Sequence, residues 1–324
     1  MSKAIRIHKT GGPEVLTWEE VAVGEPGPND IRMRHTAIGL NFIDIYHRDG
    51  LYPLPMPAIL GTEGAGVVEA VGANVTDLKV GQRVAYAGGQ IGSYSEARII
   101  RADAVEPVPD GIDDKVAAAI MLKGMTAYML LNTVHAVKKG ESVLVHAAAG
   151  GVGTILTQWA KHLGCMVIGT AGGAAKVQFA AAHGCDHVID YKSEDFTQRV
   201  KEITSGKGVS VVYDGIGKDT FMGSLDALEP FGHMVTYGNA SGPVDPISPL
   251  LLTQKGSLTL SRPSLITFAT LPVLRRAAAK ALFEVVAKGA VTIEIGQTYA
   301  LKDVGKAQTD LAARKTTGST VLIP

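Results

Sequence analysis

Residues 140–164 carry the chemistry that the sequence advertises most clearly. Three glycines, Gly150, Gly151 and Gly153, follow the apolar run Ser142-Val143-Leu144-Val145-His146. That run is rich in β-branched residues and too short for a helix, so it reads as a buried strand. Ala147 to Gly153 then turns with small residues, and Thr154 to Leu163 has helical spacing closed by Gly164. Strand, small-residue turn and helix bring main-chain N–H groups to the positive end of a helix, where a pyrophosphate fits. The expected ligand is a dinucleotide, with Gly150, Gly151, Val152 and Gly153 around its phosphates.

A second strand, Met166-Val167-Ile168-Gly169-Thr170, follows at once, as a βαβ unit requires. NAD-selective sites place Asp or Glu at the end of this strand, about twenty residues past the glycines, to bond the ribose 2′-OH. Here the strand runs into Thr170-Ala171-Gly172-Gly173-Ala174-Ala175-Lys176, and no acid occurs between Gly164 and Asp186. A carboxylate would repel a 2′-phosphate, whereas Lys176 can pair with it. The pattern therefore predicts NADPH.

The elements that must position these groups alternate along the middle of the chain. Val188–Tyr191, Val209–Asp214, Gly232–Tyr237 and Ser257–Ser261 read as further strands. Ser193 to Thr204, with Ser193 as N-cap, and Thr220 to Leu228 read as intervening helices. With the first two strands this gives a six-stranded, doubly wound Rossmann-like sheet. Val116–Met121 and Thr126–Val134 read as two helices leading into it. The first hundred residues differ: short alternating segments (Ala4–His8, Leu16–Val21, Ile31–Ile38, Val67–Gly72, Arg83–Tyr86, Tyr94–Ile100) predict a small barrel or sandwich. After Pro263, a helix over Leu271–Lys288 and a strand over Thr320–Ile323 are expected to return to that first domain. The last sheet strand, Ser257 to Ser261, would be an exposed apolar edge in a monomer, which predicts a homodimer that joins two sheets.

Bulk properties narrow the function classes. The chain has 324 residues, 46% hydrophobic and 19% charged, as in a soluble globular protein with two cores. Its 31 basic and 31 acidic residues cancel, and basic residues do not cluster with aromatics, so nucleic acid is an unexpected partner. Cys165 and Cys185 are the two cysteines and do not form a CxxC pair, which excludes a disulfide framework and a cysteine-rich metal site. The N-terminus lacks the apolar core of a signal peptide, and no run of about eighteen apolar residues is evident, so a cytoplasmic protein is expected.

The segment Gly140-Glu141-x-x-Leu144-x-x-x-Ala148-Ala149-Gly150-Gly151-x-Gly153-x4-Gln158-x-x-Lys161 resembles the signature of the NADPH:quinone oxidoreductase (ζ-crystallin-like) branch of the medium-chain dehydrogenases/reductases. Gly39–Asp44, Leu60–Gly66 and Val80–Val84 resemble the GroES-like catalytic domain of the same superfamily, so the likeness covers essentially the whole chain. It implies a GroES-like domain over residues 1–122, with 266–324 returning to it, and a Rossmann domain over 123–265. It also implies cofactor contacts: Tyr191 beside Lys176 on the 2′-phosphate, Gly215, Tyr237, Gly238, Asn239, Ala240, Arg262, Pro263, Ser264, Leu265 and Arg314. Met129 stands where some relatives carry an aromatic residue near the cofactor.

Alcohol dehydrogenases of this superfamily hold a catalytic zinc that polarises the substrate oxygen. At the matching positions this chain has Asn41 for the first ligand and Gly61-Thr62-Glu63 for the Gly-His-Glu segment. No metal is expected. Without a Lewis acid the acceptor must itself be easily reduced, and a quinone qualifies because its reduced oxygens have phenol-like acidity, near pKa 10. The resemblance places Asn41, Tyr46 and Tyr52 beside the nicotinamide in a zinc-free interdomain cleft, with Asn41 also touching the cofactor. Asp44 reads as a helix cap sooner than a base. The expectation is an NADPH-dependent quinone reductase. A reductase of an activated C=C bond in an enone or alkenal is the alternative, and a non-enzymatic NADPH-binding structural or regulatory protein a third.

Overall fold

The computed structural model describes residues Met1–Pro324. They pack as two compact units: Met1–Met125 with Leu265–Ala287 and Ile293–Pro324, and Thr126–Ser264 with Lys288–Thr292.

The second unit is the doubly wound half. Its six strands lie in the order His187–Asp190, Met166–Ala171, Ser142–Val145, Val209–Asp214, Leu228–Thr236, Thr259–Ser261, and every neighbouring pair is parallel. Strand order reverses between Ser142–Val145 and Val209–Asp214, which is the switch point where such sheets take their ligands. Leu144, Ile168, Val212 and Met234 point into one buried cluster with Phe221 and Leu225 of the helix Phe221–Ala227. The continuous apolar character of these strands follows from burial on both faces.

Several element ends depart from expectation. The helix expected from Ser193 starts at Phe196, because Asp195 accepts the N–H groups of Thr197 (2.8 Å) and Gln198 (3.2 Å) on its carboxylate and caps it. The two helices expected before the glycine turn are one, Asp114–Tyr128, which runs on into a π-helical turn, Met129–Val134. Gly124 does not break it: a Cβ there would lie 2.3 Å from Leu282 Cδ1, so the glycine admits a packed side chain. Together, Asp114–Val134 are long and apolar enough to cross a membrane by length and composition, unlike the expectation, but 72% of the window is buried inside the protein. The edge strand shortens to Thr259–Ser261, and Leu258 turns into the core, so Leu260 is the apolar residue left on that edge.

The first unit is β-rich. Asp30–Gly39 is its hub, pairing antiparallel with Glu63–Val71, Ala97–Arg101 and Ser319–Ile323. Arg83–Ala87 extends this sheet from Glu63–Val71, and Ile295–Ala300 lies parallel to Ser319–Ile323 at the other end. The strand Ile295–Ala300 and the helix Val304–Ala312 were not expected between Lys288 and Thr320; the helix supplies Val304 and Ala307, and the expected last strand Leu322, to a core with Ile5, Ile38, Leu40 and Leu60. The hub strand ends where the helix Phe42–Asp49 begins, and that junction carries the unit's polar cluster.

Candidate functional site

In the second unit the glycine turn is part of a helix. Gly150 is the N-cap of Gly151–His162, so Gly151, Val152 and Gly153 form the first turn, with no side chain capping it. Thr154 donates its N–H to the Gly150 carbonyl (2.8 Å) as the first regular helical bond. The three preceding N–H groups point out of the helix end, as first-turn groups do. The chain reaches this geometry through Ala147, held at φ +53, and through the close approach of Gly153 to the Ala147 carbonyl. An anion such as a pyrophosphate fits this helix end.

The second strand ends in Gly172 and Gly173, and the helix Ala174–Ala182 follows with Lys176 in its first turn. Tyr191 lies over the double glycine, its phenol oxygen 2.5 Å from where a Cβ on Gly172 would sit. Two groups there escaped the sequence reading. Lys192 brings its Nζ within 3.9 Å of a Cβ position on Gly173. Asp190, at the end of the third strand, accepts the N–H groups of Gly173 and Lys192 on Oδ1, both at 3.0 Å. Those two backbone donors hold its carboxyl below the usual range. Asp190 fixes the loop, with the Lys192 ammonium and the Tyr191 phenol beside it.

Gly215, Tyr237–Ala240 and Arg262 also come together. A Cβ on Gly238 would lie 2.3 Å from the Gly215 carbonyl, and Ala240 donates its N–H to that oxygen (3.3 Å). Arg262 donates to the Gly238 carbonyl at 3.0 Å and to Thr236 Oγ1 at 3.3 Å, and Pro263 and Ser264 follow it. Beneath the turn, buried Asp214 accepts from Ile216 N–H (2.7 Å), Gly217 N–H (3.1 Å), Thr220 (2.7 Å) and Ser224 (3.2 Å). His146 is packed within this network, 2.9 Å from both Ser224 and Thr170. Met129 is buried at the start of the π-helical turn. Leu265 and Arg314 belong to the first unit, with Arg314 exposed and in the left-handed region at φ +59.

In the first unit, Asn41 is the N-cap of Phe42–Asp49. Its backbone N–H is donated to Asp44 (2.9 Å) and its side-chain amide to Glu63 Oε2 (2.8 Å). Asp44, the third residue of the helix, completes the capping box with Asn41 and is buried, not a base open to substrate: it also accepts the hydroxyls of Tyr94 (2.9 Å) and Thr62 (3.1 Å). Burial pushes its carboxyl up to about 7, against the lowering effect of these donors and of the Lys123 charge. Lys123, 60 residues away from Glu63 in the chain, pairs with that carboxylate at 2.9 Å, and its neighbour Leu122 donates its N–H to the other oxygen at 2.7 Å. No local signal marks this pair in the sequence, because sheet and helix packing alone bring its members together.

Tyr46 and Tyr52 meet as expected of a shared site: their rings stand edge to face with centroids 5.4 Å apart, and Tyr52 donates its N–H to the Tyr46 carbonyl (3.0 Å). His47 leans on Tyr52 at 6.1 Å and is buried with its Nδ1 lacking a partner, a second group the sequence reading passed over. No three His, Cys, Asp or Glu side chains gather in a way that could hold a metal ion. Burial pushes the Cys165 thiol up to about 11 and that of Cys185 to about 12, so neither supplies a thiolate ligand at neutral pH. The helix end at Gly151–Gly153 suits an anion such as a dinucleotide's pyrophosphate.

Two family profiles match: an alcohol dehydrogenase GroES-like domain over residues 27–110 and a zinc-binding dehydrogenase over residues 151–303. A quinone oxidoreductase of Pseudomonas aeruginosa is 50% identical over 325 residues, covering 100% of both chains. A 2-haloacrylate reductase of a Burkholderia species is 46% identical and covers 100% of this chain and 99% of its own. The crystal structure of Escherichia coli quinone oxidoreductase complexed with NADPH superposes with a TM-score of 0.97 at 46% identity, covering 99% of this chain and 100% of that one.

Proposed function

The chain belongs to the quinone oxidoreductase family of the medium-chain dehydrogenases/reductases, and from that premise we infer that it is an NADPH-dependent quinone reductase. The observation that carries the reading is the state of Asn41 and Glu63. Where alcohol dehydrogenases of the superfamily have their first zinc ligand this chain has Asn41, and the histidine of their Gly-His-Glu segment is replaced by Thr62; the Asn41 amide and the Lys123 ammonium close on one oxygen of the adjoining Glu63. Such a site offers no metal to polarise an alcohol or aldehyde, and an acceptor that is reduced readily does not need one. The bound NADPH supplies the electrons. The N–H groups of Gly151, Val152 and Gly153 hold its pyrophosphate in this reading, and Lys176, Lys192 and Tyr191 its 2′-phosphate. Gly215, Tyr237–Ala240 and Arg262–Leu265 line the rest, with Met129 and Arg314 as further contacts. Asn41, Tyr46 and Tyr52 orient the acceptor.

A second reading, reduction of an activated C=C bond, draws support from the 2-haloacrylate reductase among the relatives. We also assign the protein to the cytoplasm as a homodimer joined through the edge strand Thr259–Ser261. Phe231, 79% exposed and bonded through its N–H to Gly256 just ahead of that edge, adds an apolar contact for the second copy. NADPH oxidation followed with a panel of quinones and enones tests the function. Quinones are expected to be turned over without added metal and in the presence of chelator; activity confined to enones favours the second reading. Light scattering that shows a monomer at micromolar concentration rejects the dimer.

A further inference from the structure

One buried cation enters that reading only through its bond to Glu63. Lys123 lies in the helix Asp114–Tyr128 with its side chain 6% exposed and its Nζ 2.9 Å from Glu63 Oε2. Glu63, fully buried, takes three donors: Oε1 accepts the Leu122 N–H (2.7 Å), and Oε2 accepts both the Asn41 amide (2.8 Å) and Lys123. An ammonium has three N–H donors. Glu63 is the acceptor that Lys123 reaches within the chain, which leaves two donors for another partner. Removing a lysine head from water costs several kcal/mol, a cost that a methionine at the same helical position would avoid. The ammonium shares its carboxylate oxygen with Asn41, the cap of the helix that carries Tyr46.

We propose that Lys123 is the polarising residue of the acceptor site: anchored by Glu63, its ammonium donates a hydrogen bond to the acceptor's carbonyl oxygen and stabilises the negative charge gained there. This deepens the quinone-reductase reading and rests on it. Reduction of a quinone to a hydroquinone takes up two electrons and two protons. NADPH gives both electrons and one proton, water gives the other, both C=O groups become C–OH, and the nicotinamide is oxidised. Lys123 keeps its N–H bonds throughout. It acts as a fixed donor aimed at developing charge, a role whose loss typically lowers kcat by about 10²–10³.

Lys123→Met alone strands the Glu63 carboxylate in the core, so the decisive variant is Lys123→Met/Glu63→Gln, with Lys123→Arg beside it. The first readout is kcat and KM with 1,4-benzoquinone, with NADPH affinity measured separately. The second is the pKa of 4-nitrophenol bound to the NADP⁺-loaded protein, read from the phenolate absorbance. The double variant is expected to lose about 10²-fold in kcat at unchanged NADPH affinity. The wild-type protein is expected to lower the pKa of bound nitrophenol below its free value; Lys123→Arg keeps that shift and the double variant abolishes it. An unaltered kcat in the double variant, or a nitrophenol pKa unshifted by the wild-type protein, overturns the assignment. A wild-type protein inert toward every quinone sinks the quinone-reductase reading instead, and the nitrophenol titration still judges Lys123.

Discussion

The carbonyl oxygen of Ala147 lies directly against Gly153: a Cβ built on that glycine would stand 2.2 Å from it, where no real contact is tolerated. Gly153→Ala must therefore push the turn and the helix end apart. Overpacking of this kind costs about 1–3 kcal/mol, and the displaced N–H groups are those assigned to the pyrophosphate. Fluorescence titration is expected to show NADPH affinity down about tenfold or more. Gly150→Ala is the control, since its Cβ would be 3.2 Å from the same oxygen, and a milder loss is expected. Equal losses in the two variants would refute the steric account.

The double glycine makes the cofactor prediction. Lys176→Ala should weaken NADPH by roughly 1–3 kcal/mol, about five- to a hundredfold, and leave NADH nearly unchanged. Lys192→Ala should act in the same direction, since its Nζ approaches Gly173. If both cofactors lose affinity equally, the lysines support the fold instead of reading the phosphate.

Tyr52 is assigned to positioning. Its ring is held by Tyr46 and His47, and Tyr52→Phe preserves those contacts. Quinone turnover should fall only modestly. A loss of about 10²–10⁴-fold, the usual contribution of a general acid, would instead make Tyr52 a proton donor, a role that enone reduction requires more than quinone reduction does.

Two buried groups of the first unit set opposite pH dependences. Burial and the nearby Arg98 charge push His35 down to about 3, with its ring nitrogens 2.7 Å from the Ser95 carbonyl and 2.8 Å from Tyr86 Oη. Asp44 is pushed up to about 7. Between about pH 4 and 6.5 the unfolded chain gains a proton on His35 that the folded one lacks, and the folded chain keeps one on Asp44 that the unfolded one has lost. The two terms cancel. In Asp44→Asn the histidine term stands alone, so stability should fall on acidification by about 1.4 kcal/mol per pH unit more than in the wild type. In His35→Gln the sign reverses, and stability should fall as pH rises. Denaturant midpoints across this range decide; parallel curves for all three proteins would show that the groups titrate normally.

What was legible in the sequence is what repeats locally. Ser142–Val145, the glycine turn and its helix, Met166–Ala171 and Val209–Asp214 follow from apolar runs and small residues that lie next to one another in the chain. The first unit's polar cluster was not legible, because its members are far apart: Tyr94 donates to Asp44 over 50 residues and Lys123 to Glu63 over 60. Asn41 and Asp44 could be picked out singly, but not the carboxylate that takes Asn41's amide. Ser193 looked like a cap by type, and Asp195, two residues on, won because an ionised carboxylate accepts backbone N–H groups more strongly than a hydroxyl.

The strand Ser319–Ile323, paired with Asp30–Gly39, has a consequence for how the molecule is made. Synthesis runs from the N-terminus, and domains fold as their segments leave the ribosome. The parallel sheet has all its strands once Ser261 has emerged, and lacks only the clasp in which Gln158 exchanges hydrogen bonds with Thr292 at 2.9–3.0 Å. The barrel, begun first, is closed last. A nascent chain thus passes through a stage in which the parallel sheet has all its strands while the antiparallel sheet still lacks its last one. A premature stop near the C-terminus would leave that intermediate as the end product, its antiparallel sheet unsealed at Ile38 and Gly39.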